Sequence, residues 1–121
     1  MSQPAEHHAI NYIEFTTTDI AGTKAFYGKV FGWTFQDWGT DYISFAKDQA
    51  GISGGFRKGE ARQTHADTAP LIVIYSQALE GTQKAVEEIG GKITVPIFEF
   101  PGGRRFHFSD GMGNVLAVWS E

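Results

Sequence analysis

The feature that most constrains this chain is a helical pattern that occurs twice, half a chain apart. The stretch DIAGTKAFYGKVFGW (19–33) matches ALEGTQKAVEEIGGK (78–92) along its length. Both copies have a glycine and a threonine near the start, a glycine near the end, and apolar residues at helical spacing between them. A helix that recurs in this way predicts that a whole structural module recurs.

The segments around the two helices extend the repeat. Asp19 is a candidate N-cap and Gly32 a candidate C-terminal stop for the first helix. Alternating stretches rich in β-branched and aromatic residues predict strands, and in the first half these are 9–17, 33–38, 41–47 and 51–58. In the second half, a helix over 79–89 is accompanied by strands at 71–76, 91–98, 104–110 and 114–120. The predicted order is βαβββ, twice.

Residues 58–69 contain no large apolar side chain and predict an exposed linker in which His65 is solvated. We therefore expect one α+β domain over 1–121, with module one at about 9–58 and module two at about 70–120. A single βαβββ unit covers only one face of its sheet with its helix. Two such units are expected to combine their sheets around a shared cleft, and clefts are where small ligands bind.

Composition excludes several classes of partner. The net charge is −4, and the ten Lys and Arg residues are scattered, whereas nucleic-acid binding needs clustered positive charge. No apolar run approaches the roughly 20 residues of a membrane span, and the first ten residues lack the order of a signal peptide. The chain has no cysteine, which excludes disulfides and thiolate metal sites. We expect a cytoplasmic protein that binds neither nucleic acid nor membrane.

Two motifs carry a family resemblance. TTTDIAGTKAFYGKVFGW near the start and FSDGMGNVLAVW near the end resemble the signatures of the vicinal oxygen chelate superfamily, which includes glyoxalase I, bleomycin-resistance proteins and extradiol dioxygenases. The family pattern has proline where this chain has Gly111. The resemblance covers about residues 9–120 and is closest to the small, single-domain, glyoxalase-like subgroup. It implies the two-module fold and a homodimer, but leaves activity open because this scaffold hosts many chemistries.

The resemblance also implies where a metal would bind. Metal-dependent relatives carry His, Glu or Gln on four strands, at positions that correspond here to Tyr12, Gly54, Leu71 and Ala117. None of these is a usual ligand, and a shift of two residues along the strands supplies only Glu14. We predict that the chain binds no metal and no other cofactor. A metal-dependent glyoxalase or dioxygenase-type enzyme is the alternative if these positions are misassigned.

Strand alternation predicts which residues line the cleft instead. If Tyr12 faces the cleft, Glu14 shares its face, and the same alternation in other strands brings in further aromatic and basic residues. His107 turns to this face if Phe106 and Phe108 point into the core. The predicted catalytic residues are Glu14 and His107, and the predicted ligand-binding residues are Tyr12, Tyr75, Trp119, Arg104 and Arg105.

Three functions fit this predicted cleft. A carboxylate in mid-strand is costly to bury unless it is paired or protonated, so Glu14 indicates a general base, a ligand contact, a salt bridge across the sheet or a solvent-exposed edge. As a binding protein, the chain would hold a flat, partly polar compound. As an enzyme, it would act on a small carbonyl compound as a lyase or isomerase, through Glu14 and His107. A structural domain with neither role is the third possibility.

Overall fold

The computed structural model describes residues 6–60 and 69–121. The chain divides into two compact units, Met1–Glu60 and Ala61–Glu121, which we call module one and module two. The shared cleft and the single domain stay predictions. The linker residues 61–68, including His65, lie outside the described residues.

Module one contains a mixed sheet and one long helix. Its elements are β1 (Tyr12–Thr17), α1 (Ile20–Phe31), β2 (Gln36–Asp37), β3 (Tyr42–Phe45), α2 (Lys47–Ala50) and β4 (Ser53–Lys58). The strand order in sheet 1 is β1-β4-β3-β2. β1 and β4 are parallel, and the other neighbours are antiparallel.

Module two repeats this plan. Its elements are β5 (Val73–Tyr75), α3 (Leu79–Glu88), β6 (Lys92–Phe100), β7 (Gly103–Ser109) and β8 (Val115–Ser120). The strand order in sheet 2 is β5-β8-β7-β6, again with one parallel pair, β5 and β8, and antiparallel pairs elsewhere. The predicted α+β class and the repeated βαβββ order are confirmed.

The repeat extends to a side-chain hydrogen bond between strand and helix. In module one the hydroxyls of Thr17 and Thr23 are 2.7 Å apart, and in module two those of Ser76 and Thr82 are also 2.7 Å apart. Each links the end of the first strand to the first turn of the helix that follows. Because hydroxyl residues stand at matching places in both sequence copies, the strand–helix corner is built in the same way twice.

The helix ends differ between the modules. The Asp19 side chain caps α1 by accepting from the amide of Gly22 at 3.0 Å, and Gly32 ends it in the left-handed conformation, with φ 74°, as predicted. In module two Ala78 provides no side-chain cap. There the left-handed glycine is Gly90, with φ 96°, although the sequence match pairs Gly32 with Gly91, because α3 is shorter than α1.

Two predicted strand bounds in module one need correction. The strand expected at 33–38 is limited to Gln36–Asp37. The strand expected at 41–47 ends at Phe45, because the next residues form the short α2, Lys47–Ala50, which ends at Gly51 with φ 87°. Four residues are too few to show a helical period, so the sequence pattern could not reveal α2.

Each sheet has one face that carries the core and one that we call the open face. In module one the core side is aromatic: Phe56 stacks on Phe15 with 4.8 Å between ring centroids and lies 5.0 Å from the ring of Tyr27 of α1. In module two the core side is more aliphatic. Its fully buried residues are Leu79, Val86, Phe106, Phe108, Leu116 and Val118.

Candidate ligand-binding surface

The open face of sheet 1 carries a polar network in which the described groups pair with one another. Tyr12 and Tyr42 join their hydroxyls at 2.6 Å, and the Tyr42 hydroxyl donates to Glu14 Oε1 at 3.1 Å. Arg57 Nε lies 3.5 Å from Glu14 Oε2, and Arg57 also donates to Thr16 Oγ1 at 3.3 Å. Three neighbouring strands are therefore tied together on this face by side chains.

Glu14 is therefore neither buried nor unpaired. Its side chain is 47 % exposed and that of Arg57 is 56 % exposed, so solvent screens the ion pair. Burial first, and then the hydrogen bonds with Tyr12 and Glu14, raise the pKa of the Tyr42 phenol well above its ordinary value. Of the alternatives for Glu14, the structure displays the salt bridge across the sheet. Its catalytic role and the ligand-binding role of Tyr12 stay predictions.

The open face of sheet 2 is different in character. Register places Tyr75 of β5 beside Trp119 of β8, and Trp119 opposite Arg105 of β7. Arg105 in turn pairs with Phe98 of β6. These four side chains form one row across the sheet, and on the same face Phe100 lies 6.4 Å from the Trp119 ring. Tyr75 is 46 % exposed, whereas Trp119 is half-buried.

Arg105 is the cation of this row. Its guanidinium carbon lies 5.3 Å from the Phe98 ring centroid and 5.2 Å from that of Phe100, within the range of cation–π attraction. The Nε atom is buried and has no hydrogen-bond partner among the described residues. Nor does any carboxylate of residues 6–60 or 69–121 form an ion pair with Arg105.

His107 lies two residues further along β7, on the same face. Register sets it opposite Ala117 of β8, and its ring is 5.9 Å from that of Phe98. It is only 7 % exposed, and its Nε2 has no hydrogen-bond partner in the described part of the chain. Burial, and secondarily the charge of Arg105, lowers the pKa of the imidazole below its ordinary value, so the neutral form is favoured.

Arg104 and Arg105 point to opposite faces of β7. Arg104 forms an ion pair with Glu80 in the first turn of α3, on the side of the sheet that the helix covers. The sequence left open which of the two arginines faces the site, and the structure places Arg105 on the face of Trp119, Tyr75 and His107. A ligand role for Arg104 stays a prediction without geometric support here.

Two residues of this face were not predicted from the sequence. Phe98 and Phe100 belong to β6, where the pairing with β7 shifts register between Ile93 and Val95 and again between Val95 and Phe98. Such irregularities interrupt the simple alternation of side chains that sequence reasoning relies on. A signal was available in the FEF segment at 98–100, which places two aromatic residues on one side of a strand.

The residues at the family's metal positions do not fit a divalent ion. Gly54 and Ala117 are buried within their strands and carry no ligand atom in their side chains. Leu71, half-buried just before β5, has no ligand atom in its side chain either. Glu14, the nearby carboxylate, already binds Arg57 and Tyr42, so a cation there would compete with a guanidinium. Across residues 6–60 and 69–121, no three His, Asp or Glu side chains cluster as metal ligands.

Module one also contains a groove of about 290 Å³ next to β2, lined by Thr34, Phe35, Gln36, Ser44, Phe45, Ala46 and Gln49. The Gln49 side chain forms hydrogen bonds here: it accepts from the Thr34 amide at 2.7 Å and donates to the Thr34 carbonyl at 2.9 Å. The polar groups of Gln49 and Thr34 therefore satisfy one another. Within the described residues, no helix is long and apolar enough to cross a membrane.

Solved structures with the same fold include several from bacteria. The fosfomycin resistance protein FosX from Listeria monocytogenes superposes with a TM-score of 0.79 at 18 % identity, over 96 % of this chain and 93 % of that one. A glyoxalase-related enzyme from Fulvimarina pelagi gives 0.77 at 15 % identity, over 94 % and 88 %. A further structure of the Listeria protein, the E126Q mutant, contains Mn(II) and 1S,2S-dihydroxypropylphosphonic acid.

At these identities the structural likeness establishes the fold alone. The sequence matches none of the curated proteins with which it was compared. A family model matches residues 9–118, nearly the whole chain. The chain therefore belongs to the Glyoxalase/Bleomycin resistance protein/Dioxygenase superfamily.

Proposed function

We propose that this protein binds a small, flat organic molecule on the open face of sheet 2. The observation that carries the proposal is the row of Tyr75, Trp119, Arg105 and Phe98 across four strands. Aromatic side chains offer flat apolar surface with polar edges, and ligand sites combine such surface with a few polar groups that orient the ligand. Tyr75 of this row is 46 % exposed and Trp119 is half-buried, and contiguous exposed apolar surface is a mark of binding sites.

Membership of the superfamily supports a small-molecule ligand, because the Listeria FosX structure holds a small phosphonic acid. Binding without a metal is favoured over metal-dependent chemistry, since the donor set at the metal positions does not fit an ion. A metal analysis tests this part directly. About one Zn, Ni, Fe or Mn per chain, retained after mild chelation, would contradict it.

An enzymatic function is the second candidate, and it is favoured by Nε2 of His107, which has no hydrogen-bond partner in the part of the chain that the structure describes. In the tautomer that carries its proton on Nδ1, the neutral imidazole is able to accept a proton at Nε2 from a carbonyl compound, as a lyase or isomerase requires. Glu14, the other predicted catalytic residue, is engaged by Arg57 and Tyr42. Binding is therefore the better supported function of the two, and turnover of any compound found in the screen below would reverse that order.

The proposal is tested by a thermal-shift screen of flat aromatic compounds, because a ligand that binds the folded state raises the melting temperature. For each compound found, Trp119→Leu should weaken binding by about 1–3 kcal/mol through lost stacking area. Trp38→Leu is the matched control, since Trp38 is 56 % exposed and belongs to module one. The proposal fails if no compound raises the melting temperature, or if Trp119→Leu binds as wild type does.

We also propose that the protein is a cytoplasmic homodimer. Two observations support the dimer. Members of the superfamily often dimerise, and each sheet has two outer strands, β1 and β2 in sheet 1 and β5 and β6 in sheet 2. Outer strands present main-chain groups that a second copy is able to pair with. Sedimentation is the measurement, and a monomer across micromolar concentrations would contradict the dimer.

A further inference from the structure

Building on the proposed function, we infer that the ligand carries a carboxylate, which is bound by the Nε–H of Arg105 and the Nε2–H of His107. The two residues alternate along β7, so their side chains leave the same face about 7 Å apart along the strand. Both nitrogen atoms are buried and without a partner in the described residues. Two neighbouring buried nitrogens in this condition are rare in folded proteins, because nearly all buried polar groups are hydrogen-bonded.

The other basic residues with a described partner show what Arg105 lacks. Lys24 pairs with Asp37, Arg57 with Glu14 and Arg104 with Glu80. Arg105 instead rests on the rings of Phe98 and Phe100, which stabilise the cation but accept no conventional hydrogen bond. A stacked guanidinium keeps its edge free for an oxygen acceptor in the same plane.

His107 determines the charge that fits. Its ring is buried beside the Arg105 cation, so in the tautomer with the proton on Nε2 the site offers one positive charge and one neutral donor. A carboxylate carries one negative charge and two oxygens, and so matches one charged and one neutral donor. The carboxylate of Glu121 accepts from the Tyr75 hydroxyl and forms no ion pair with Arg105 among the described residues. Trp119, opposite Arg105, provides the flat surface for the rest of the molecule.

The test compares a flat acid with its neutral amide, using 2-naphthoate and 2-naphthamide as probes. Wild type should bind the acid at least tenfold more tightly. Arg105→Met should remove this preference, whereas Arg104→Met, the same change at the next residue on the opposite face, should retain it. Arg105→Lys keeps the charge without the planar Nε–H and should recover only part of the preference. Melting curves establish that each variant is folded.

Nuclear magnetic resonance gives a readout at the proposed atoms. Saturating naphthoate should shift the Arg105 Nε–Hε cross-peak of ¹⁵N-labelled wild type, and naphthamide should shift it little. Equal affinity for acid and amide in wild type, or an acid preference that survives in Arg105→Met, overturns this inference but leaves the proposed function standing. Failure of both probes to bind wild type overturns both. Tighter binding of 2-naphthylphosphonate than of naphthoate at pH 8 overturns the carboxylate assignment.

Discussion

The two sheets have the same strand order, yet the side chains on their open faces differ in how their hydrogen-bonding groups are paired. Register makes Glu14 of β1 correspond to Val73 of β5, and Tyr42 of β3 to Arg105 of β7. In module one the carboxylate accepts from the tyrosine across the intervening strand. In module two an apolar residue stands where the acceptor would be, and Nε of the arginine has no acceptor within residues 6–60 and 69–121.

This difference teaches where a site is to be sought on a repeated scaffold. Residue type alone favours module one, which carries a carboxylate, two tyrosines and an arginine on its open face. Those groups satisfy each other, so they bind the strands together and offer less to a ligand. Module two carries a tyrosine, an arginine and a histidine on its open face, and two of its buried nitrogens have no hydrogen-bond partner among the described residues. Unsatisfied hydrogen-bonding capacity distinguishes the faces better than the number of polar residues does.

The largest expected loss of stability comes from substitutions on the core sides of the two sheets rather than on their open faces. Phe56 and Val118 occupy matching places, and both are fully buried. Phe56→Ala should lower the free energy of unfolding by about 3–5 kcal/mol, because it removes the ring on which Phe15 and Tyr27 pack. Val118→Ala should cost about 2 kcal/mol, since fewer buried carbons are lost. Urea unfolding measures both, and equal losses would contradict the contrast between an aromatic and an aliphatic core.

The second prediction copies the carboxylate of module one into module two. In Val73→Glu the new side chain stands relative to Arg105 as Glu14 stands relative to Tyr42. It should pair with the guanidinium and weaken naphthoate binding at least tenfold, which is about 1.4 kcal/mol. Val73→Gln has the same size without the charge and should bind naphthoate nearly as wild type does. Because Val73 is 43 % exposed, both variants should fold, and titration calorimetry compares them.

Undiminished binding in Val73→Glu would show that Arg105 does not hold the acid. Equal weakening in Val73→Gln would instead indicate that the valine side chain itself contacts the ligand. The pair of variants therefore separates loss of charge complementarity from loss of apolar contact.

Much of the scaffold could be predicted from local sequence signals. Asp19 and Gly32 mark the ends of α1 because capping and the left-handed conformation depend on those residues themselves. The shared face of Tyr12 and Glu14 follows from strand alternation. What could not be predicted depends on register between strands. The partnership of Glu14 with Arg57 requires β1 to pair with β4, and the choice of Arg105 over Arg104 requires the alignment of β7 with β8.

The third prediction concerns pH and His107. Its folded-state pKa lies below the ordinary value, so the unfolded chain binds the proton more readily. The contribution of neutral His107 to the free energy of unfolding is therefore complete above the ordinary histidine pKa of about 6.5. It is lost as the pH falls through the lower pKa of the folded state. His107→Gln should unfold with less dependence on pH in that window. Trp119→Leu, which keeps His107 on the same face, should follow wild type, and parallel curves for all three proteins would contradict the prediction.

The smallest expected effect is that of the ion pair in module one. Glu14 and Arg57 are each about half exposed, and exposed pairs contribute about 0.2–1 kcal/mol. Glu14→Gln should therefore lower the free energy of unfolding by less than about 1 kcal/mol, since an amide oxygen still accepts from Tyr42. A double-mutant cycle with Arg57→Met isolates the pair, and the coupling should shrink further in 1 M salt, where charges are screened within about 3 Å. A coupling well above 1 kcal/mol that persists in salt would mean that the pair is shielded from solvent. Glu14 would then belong with His107 among the buried polar groups, and the contrast between the two open faces would be lost.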